Sequence, residues 1–360
     1  DGASTMLRCR TGVAAQLKKY NPYLTENHCI AYRLHLASQD AAEQVLYFKK
    51  YDALVKEIYL YFIQNTLEEP ELVLLNIVST HWLSFSNVIH NFYRSLKSVK
   101  EALLEELTTN QQAASLLTDI DQEFEIITMF LADYFFIMEK LICIFQSDYI
   151  SFTDIQQYIT MTIDAIRAQF IGNNEVLLTY GPNLLEYMAK NNLNLDQLPI
   201  FIFEFALATI ESLNNRFPNR ELFDALKIFD PEQLPNLDNE LSNYSNEKIK
   251  FLGDFYRLEK IVEDKKFKPP LSKQLLINEW GLVKFFLKNY RSVKFVNAWN
   301  LIFTKTSFLL DFPATLTLIQ ISLIISVSNA AVKRVFSRQN LIKTRLHNQM
   351  SIDTLNDHLK

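Results

Sequence analysis

The chain has 360 residues, enough for two or three domains, yet only 6 Gly and 10 Pro, so residues that break helices or make tight turns are scarce. Hydrophobic residues make up 49% of it, with 27 Phe and 16 Tyr, which excludes intrinsic disorder and predicts a large core in a mainly α fold. A net charge of −5 excludes a protein that coats nucleic acid non-specifically and leaves that role to local basic patches.

The longest apolar stretch, residues 316–327, is interrupted by Thr317, Gln320 and Ser322 and falls short of the ~20 residues that a membrane span needs. Neither a membrane partner nor a signal peptide is therefore expected. Cys9, Cys29 and Cys143 are odd in number and far apart, which predicts free thiols and a reducing compartment.

Residues 1–6, DGASTM, hold an Asp-Gly pair of the kind that makes turns, and no strand precedes them, so a fragment boundary is expected there. Residues 28–37, HCIAYRLHLA, alternate Cys29, Ala31 and Arg33 with Ile30, Tyr32 and Leu34. This predicts a short strand running into a helix, and a small sheet remnant near residues 24–36. His28, Cys29 and His35 have no second cluster at zinc-ligand spacing, so no metal site is expected. Over residues 40–65, Asp40 and Glu43 form a capping-box pair, and Val45, Phe48, Leu54, Val55, Ile58 and Phe62 line one face of a single predicted helix. The acidic run Glu68, Glu69, Pro70 and Glu71 ends it.

Beyond Trp82 the helical period is nearly continuous. Val88, Phe92, Leu96, Val99 and Leu103 predict one helix; Phe124, Ile127, Leu131, Phe135, Met138, Ile142 and Phe145 predict a longer one. Asp119, Asp121, Glu123 and Glu125 alternate like a calcium loop but lack its Gly and closing Glu, and read as the charged start of that helix. Thr153 is the expected cap of a helix through Ile155, Ile159, Ile163, Ile166 and Phe170 that stops at Gly172. Further helices are expected over 198–213, 273–289 and 295–303, with surface loops at 230–246 and 263–270 and the apolar run 316–327 leading into the C-terminal stretch.

The most informative stretch is residues 328–359, SNAAVKRVFSRQNLIKTRLHNQMSIDTLNDHL. Val332, Val335 and Phe336, then Leu341, Ile342 and Leu346, recur at helical spacing, while Lys333, Arg334, Arg338, Lys343 and Arg345 make one face basic with no acid among them. SNAAVKRVFS followed by IKTRLHNQMSIDTL resembles the C-terminal dimerisation region of hAT-superfamily transposases: a small-residue run, Glu-Arg-x-Phe-Ser, then Ile-Lys-x-x-x-Arg-Asn. Two further blocks carry the same resemblance. DGASTM with Gly12 to Ala15 is similar to the family's Asp-Gly-Ala-Ser-x-Met and Gly-Val-Ala-Ala, and THWLS at residues 80–84 is similar to its Thr-Arg-Trp-Leu-Ser.

The resemblance implies an RNase H-like α/β core, truncated here, with a large all-helical insertion. Residues 1–40 would be part of that core, 41–312 the insertion, and 313–360 the dimerisation region completing the core. Asp1 would stand at the second catalytic acid and Lys333 at the third, where the family has Glu; the first would lie upstream, as would a BED-type zinc finger. Lys333 is expected to point toward Asp1. Trp82 would stack on an extruded base, which unstacked bases favour on aromatic faces. His81, Arg334, Arg338, Lys343 and Arg345 would be the remaining DNA-contacting positions, and Val332, Phe336, Leu341, Ile342 and Leu346 the dimerisation surface.

Such nucleases hold two divalent ions between carboxylates. An ammonium about 4 Å from a doubly charged cation costs on the order of 8 kcal/mol at an effective dielectric of ~20, enough to empty the site. An ancestral divalent metal, Mg in kind, is thus expected to be lost, leaving no cofactor. Relative to the family pattern, Cys9, Tyr32, His81, Lys333 and His347 each differ by one C-to-T or G-to-A change, a bias that resembles decay of a silenced element. The expected product is a catalytically inactive nuclear homodimer, for which DNA is an open partner and a small-molecule substrate is not expected. A helical interaction scaffold recruited from a transposase, and an active metal-dependent transposase, are the alternatives.

Overall fold

The computed structural model describes residues 11–65, 82–147, 150–172, 180–194, 198–218, 221–325, 327–329, 334–336, 338–339 and 342. In chain order the helices begin with α1 (Val13–Tyr20), α2 (Ile30–Gln44), α3 (Leu46–Asn65), α4 (Trp82–Glu105), α5 (Gln111–Asp119) and α6 (Gln122–Phe145). They continue with α7 (Ile155–Ile166), α8 (Pro182–Asn191), α9 (Ile200–Arg216), α10 (Glu221–Leu226), α11 (Asp238–Leu241) and α12 (Asn246–Tyr256). A hairpin, β1 (Lys260–Val262) and β2 (Lys265–Phe267), precedes α13 (Lys273–Leu287), α14 (Phe295–Phe303), α15 (Thr306–Asp311) and α16 (Pro313–Leu323). The fold is mainly α, as the scarcity of Gly and Pro predicts.

Two compact units form. One joins residues 33–145 to 157–218; the other joins 1–32, 146–156 and 219–360. Residues 219–312 therefore cluster with the two terminal segments, whereas the sequence division has boundaries at 40 and 312.

In the helical unit α6 is central, and all seven of its apolar residues named from periodicity are buried. So are the five of α4, which packs along it. Phe130 meets Phe170 edge-on at 4.8 Å, Phe205 stacks on Phe48 at 5.3 Å, and Tyr134 meets Phe205 at 5.0 Å. Buried hydroxyls find partners as buried polar groups must: Tyr134 with Thr209 at 3.2 Å and Tyr51 with Thr128 at 3.0 Å. Asp133, on α6, turns its carboxylate to the start of α8, accepting from the N–H of Asn183 at 3.2 Å and of Leu184 at 2.9 Å. Burial raises its pKa, against the pull of those donors.

In the other unit α13 is central. Its Trp280 donates to Tyr244 O at 3.2 Å, and its buried Lys284 donates to Ser242 O and to Asn246 Oδ1. Glu279 accepts from the N–H groups of Ala314 at 3.1 Å and Thr315 at 2.6 Å, the first turn of α16. Trp299 of α14 donates to Phe229 O at 2.9 Å.

Several expectations are corrected. No strand forms at residues 28–37: Ile30, Leu34, Ala37 and Ala41 are buried at helical spacing on α2, and the partial alternation was a by-product of that stripe. The sheet near residues 24–36 is absent; among the described residues the sheet is the hairpin at 260–267, whose turn and second strand fall in the loop expected at 263–270. Its turn, Glu263 and Asp264, takes φ of 49° and 64°, the left-handed pair that a two-residue hairpin turn requires, although neither residue is Gly. Asp40 does not cap a helix; it sits within α2 and takes Arg216 in a two-pronged pair at 2.6 and 2.8 Å, and the chain breaks at buried Val45 into α2 and α3. Thr153, the expected cap of α7, is buried in the turn before it, where its hydroxyl donates to Asp154 Oδ1 at 3.2 Å. The expected loop at 230–246 holds α11 and buries Asp230, Leu234 and Leu241.

A Cβ on Gly181 would lie 2.1 Å from the Asp133 carboxyl carbon. Gly181→Ala is therefore expected to displace the cap of α8 and cost about 1–3 kcal/mol, read as a lower denaturation midpoint; an unchanged midpoint would contradict the role given to Asp133.

Candidate functional site

The positions singled out by sequence lie mostly at the ends of the chain. Asp1, His81, Val332, Lys333, Leu341, Lys343, Arg345 and Leu346 lie outside the described residues, as does the side chain of Trp82, whose backbone opens α4. Arg334, Phe336, Arg338 and Ile342 are described. Arg334 is exposed and donates to Gln146 O at 3.0 Å; Arg338 is exposed. Phe336 is 58% exposed and its neighbour Val335 49%, whereas Ile342 is half-buried.

What the structure does bring together is the block around Cys29 and the start of the C-terminal stretch. Ile30 donates its N–H to Val327 O at 2.9 Å, and Cys29 Sγ lies 2.9 Å from Asn329 Oδ1, where the thiol donates to the amide oxygen. Cys29 is buried. His28 packs its ring against Tyr32 at 5.3 Å, so the two rings of this block face each other.

A half-open cavity of about 400 Å³ adjoins this junction, lined by Ser147, Ile150, Ser151, Phe152, Phe295, Val296, Ser322, Leu323, Ile325, Val327 and Ser328. Phe152 and Phe295 meet edge-on at 5.6 Å along its wall. The hydroxyls are already engaged in part: Ser322 donates to Leu318 O at 2.8 Å, and Ser151 Oγ accepts from Thr153 N–H at 3.3 Å. Among the described lining residues none is charged, so the cavity suits neutral groups, and among the described residues no three His, Cys, Asp or Glu side chains converge as a metal site.

A buried titrating group in the same unit was missed by sequence reasoning. Asp230 is 2% exposed and accepts from Glu232 N–H at 3.2 Å. Burial, reinforced by the carboxylates of Glu232 and Asp154, pushes its pKa up to about 6. An Asp followed by Pro231 reads as a turn residue, and nothing local announces that the turn will be buried.

No protein-family model matches the chain.

The Asp230 shift has a definite sign. Because the folded-state pKa lies above the unfolded 3.8, its contribution is fully present below about pH 4 and is lost as pH rises through about 6. Asp230→Asn keeps the acceptor for Glu232 N–H, so it is expected to stabilise the protein by up to roughly 3 kcal/mol above pH 7 and by little below pH 4. Parallel denaturant titrations between pH 4 and 8 check this; a difference independent of pH would contradict it.

Proposed function

We propose that the chain derives from an hAT-superfamily transposase and is a catalytically inactive, dimerising nuclear protein. Its terminal segments belong to a truncated RNase H-like core, residues 33–145 and 157–218 form much of the helical insertion, and DNA is an associated partner.

The observation that carries the reading is the bonding of residues 29–30 to residues 327–329 across 300 positions of sequence. The resemblance assigns both segments to one core, and both lie in one compact unit. The order of DGASTM, THWLS and the 328–359 stretch along the chain supports it further. Lys333 at the position of the family's last acid gives the inactivity, since an ammonium there repels the metal pair. Phe336 and Val335, both largely exposed, supply apolar surface for self-association.

A helical interaction scaffold is the second reading, favoured by a separate observation: Ile200, Phe203 and Leu207 make an exposed apolar stripe along α9, at 73, 44 and 42%.

Light scattering at tens of micromolar is expected to give a dimer for the parent chain and a monomer for Phe336→Glu; a monomeric parent would remove the dimer from the proposal. Incubation with supercoiled DNA and Mg²⁺ is expected to leave the DNA intact, for the parent and equally for Lys333→Glu, because the first acid is not restored. Nicking by the parent would refute inactivity.

A further inference from the structure

The hairpin at residues 260–267 lies in a basic patch that no sequence motif announced. Residues 254–273 and 18–26, which meet around it, hold eight Lys or Arg against five Asp or Glu, a local excess of three positive charges in a chain whose net charge is −5. The two segments are tied together. Tyr23 donates its hydroxyl to Leu258 O, Lys260 donates to Pro22 O at 3.0 Å with its ammonium 4.6 Å above the Tyr23 ring, and Lys19 pairs with Glu263 at 2.7 Å.

The charges are not equally available. Lys18, Lys19, Arg257 and Lys273 are each held by a carboxylate, Glu26, Glu263, Asp254 and Asp254 in turn. Lys260 is folded back onto Tyr23 and Phe255. That leaves strand β2 and the residue after it. Lys266 is 73% exposed with only a 3.9 Å contact to Glu259, and Lys265 and Lys268 are exposed, Lys265 acting on the neighbouring Glu263 carboxylate through space. The cross-strand register, Ile261 opposite Lys266 and Val262 opposite Lys265, turns the faces of the ribbon by alternation.

We propose that this ribbon is a contact surface for the phosphate backbone of duplex DNA, with Lys265, Lys266 and Lys268 as the contacting groups. A two-stranded antiparallel ribbon is narrow enough to enter or straddle the major groove, about 12 Å wide. Successive side chains on a strand alternate, so Lys265 and Lys266 project to opposite faces of the ribbon and reach opposite walls of a groove that it enters. At physiological salt charges further than about 8 Å are screened, so the acidic remainder of the chain does not cancel the patch. An anionic membrane is the competing occupant, because Tyr20, Phe255, Leu258 and Ile261 are exposed beside the lysines, and binding to vesicles is one outcome of the test. The surface is read from the hairpin and its charges and does not require a transposase origin.

Fluorescence anisotropy with a labelled duplex of arbitrary sequence tests it on the full chain. With three phosphates engaged, log affinity should fall with log salt at a slope of about −2.7, roughly a 40-fold loss between 50 and 200 mM. Lys266→Ala should lessen the slope by about 1, and the joint variant Lys265→Glu, Lys266→Glu, Lys268→Glu should bind at least tenfold more weakly with an unchanged melting curve. Arg334→Glu with Arg338→Glu, measured in parallel, separates this surface from the C-terminal basic face. Loss confined to that second variant would overturn the hairpin while leaving the proposed function standing. Absence of binding by the parent chain, or binding to phosphatidylserine vesicles but not to duplex, would overturn it too.

Discussion

The carboxylate of Glu279 holds the C-terminal part of the fold in place. It comes from the middle of α13, is buried, and accepts the first free N–H groups of α16. A helix start carries orphan donors that cost about 1–3 kcal/mol each when buried without a partner, and Pro313 at the first position already removes one of them. Once α16 is seated, the chain leaving it runs through Val327 and Asn329 past Ile30 and Cys29. The other unit uses the same device: Asp133 of central α6 caps α8, which also opens on a proline, Pro182. In each unit one central helix therefore both fills the core and fixes the direction of a later helix. Among the described residues the two carboxylates are, with Asp230, the buried acids.

Periodicity made the long elements legible, because a helix whose buried face repeats over four or five turns needs no distant information. The stripes of α4 and α6 were visible residue by residue, and α14 lies at the expected residues 295–303. Legibility failed where a tertiary partner decides. Asp40 and Glu43 have the spacing of a capping box, but a guanidinium from Arg216, far along the chain, takes the Asp40 carboxylate instead. The run at 28–37 alternates in part, as a strand would, and burial of Ile30, Leu34 and Ala37 together tells it from one. Asp264 tolerates the left-handed conformation but Glu263 is poorly suited to it; the pairing of β1 with β2 and the Lys19 contact accompany it there. Glu279 looks like any surface acid on a helix, and its capping role depends on where α16 arrives. At the candidate site the family motifs were legible as strings, and for most of their residues legibility stops at the string.

The chemistry of the proposed function follows from charge placement more than from shape. In the proposed alignment Lys333 would set a cation where two divalent ions need a carboxylate, and the expense would fall on metal binding before it falls on folding. The same logic separates the two basic surfaces. The C-terminal stretch has Lys333, Arg334, Arg338, Lys343 and Arg345 with no acid between them, whereas the hairpin patch interleaves its bases with acids that neutralise about half of them and leaves β2 uncovered. An acidic chain with two such islands is suited to local, salt-sensitive contact with a polyanion.

The central claim is that the two ends of the chain build one core in which Lys333 faces Asp1. Zero-length carbodiimide coupling of the purified protein, followed by peptide mass spectrometry, reads this directly, since an amide forms only where a carboxylate and an ammonium already touch. The expected product joins the peptide carrying Asp1 to the peptide carrying Lys333. Coupling of Lys333 to acids elsewhere, with none to Asp1, would contradict the family alignment and the core built on it.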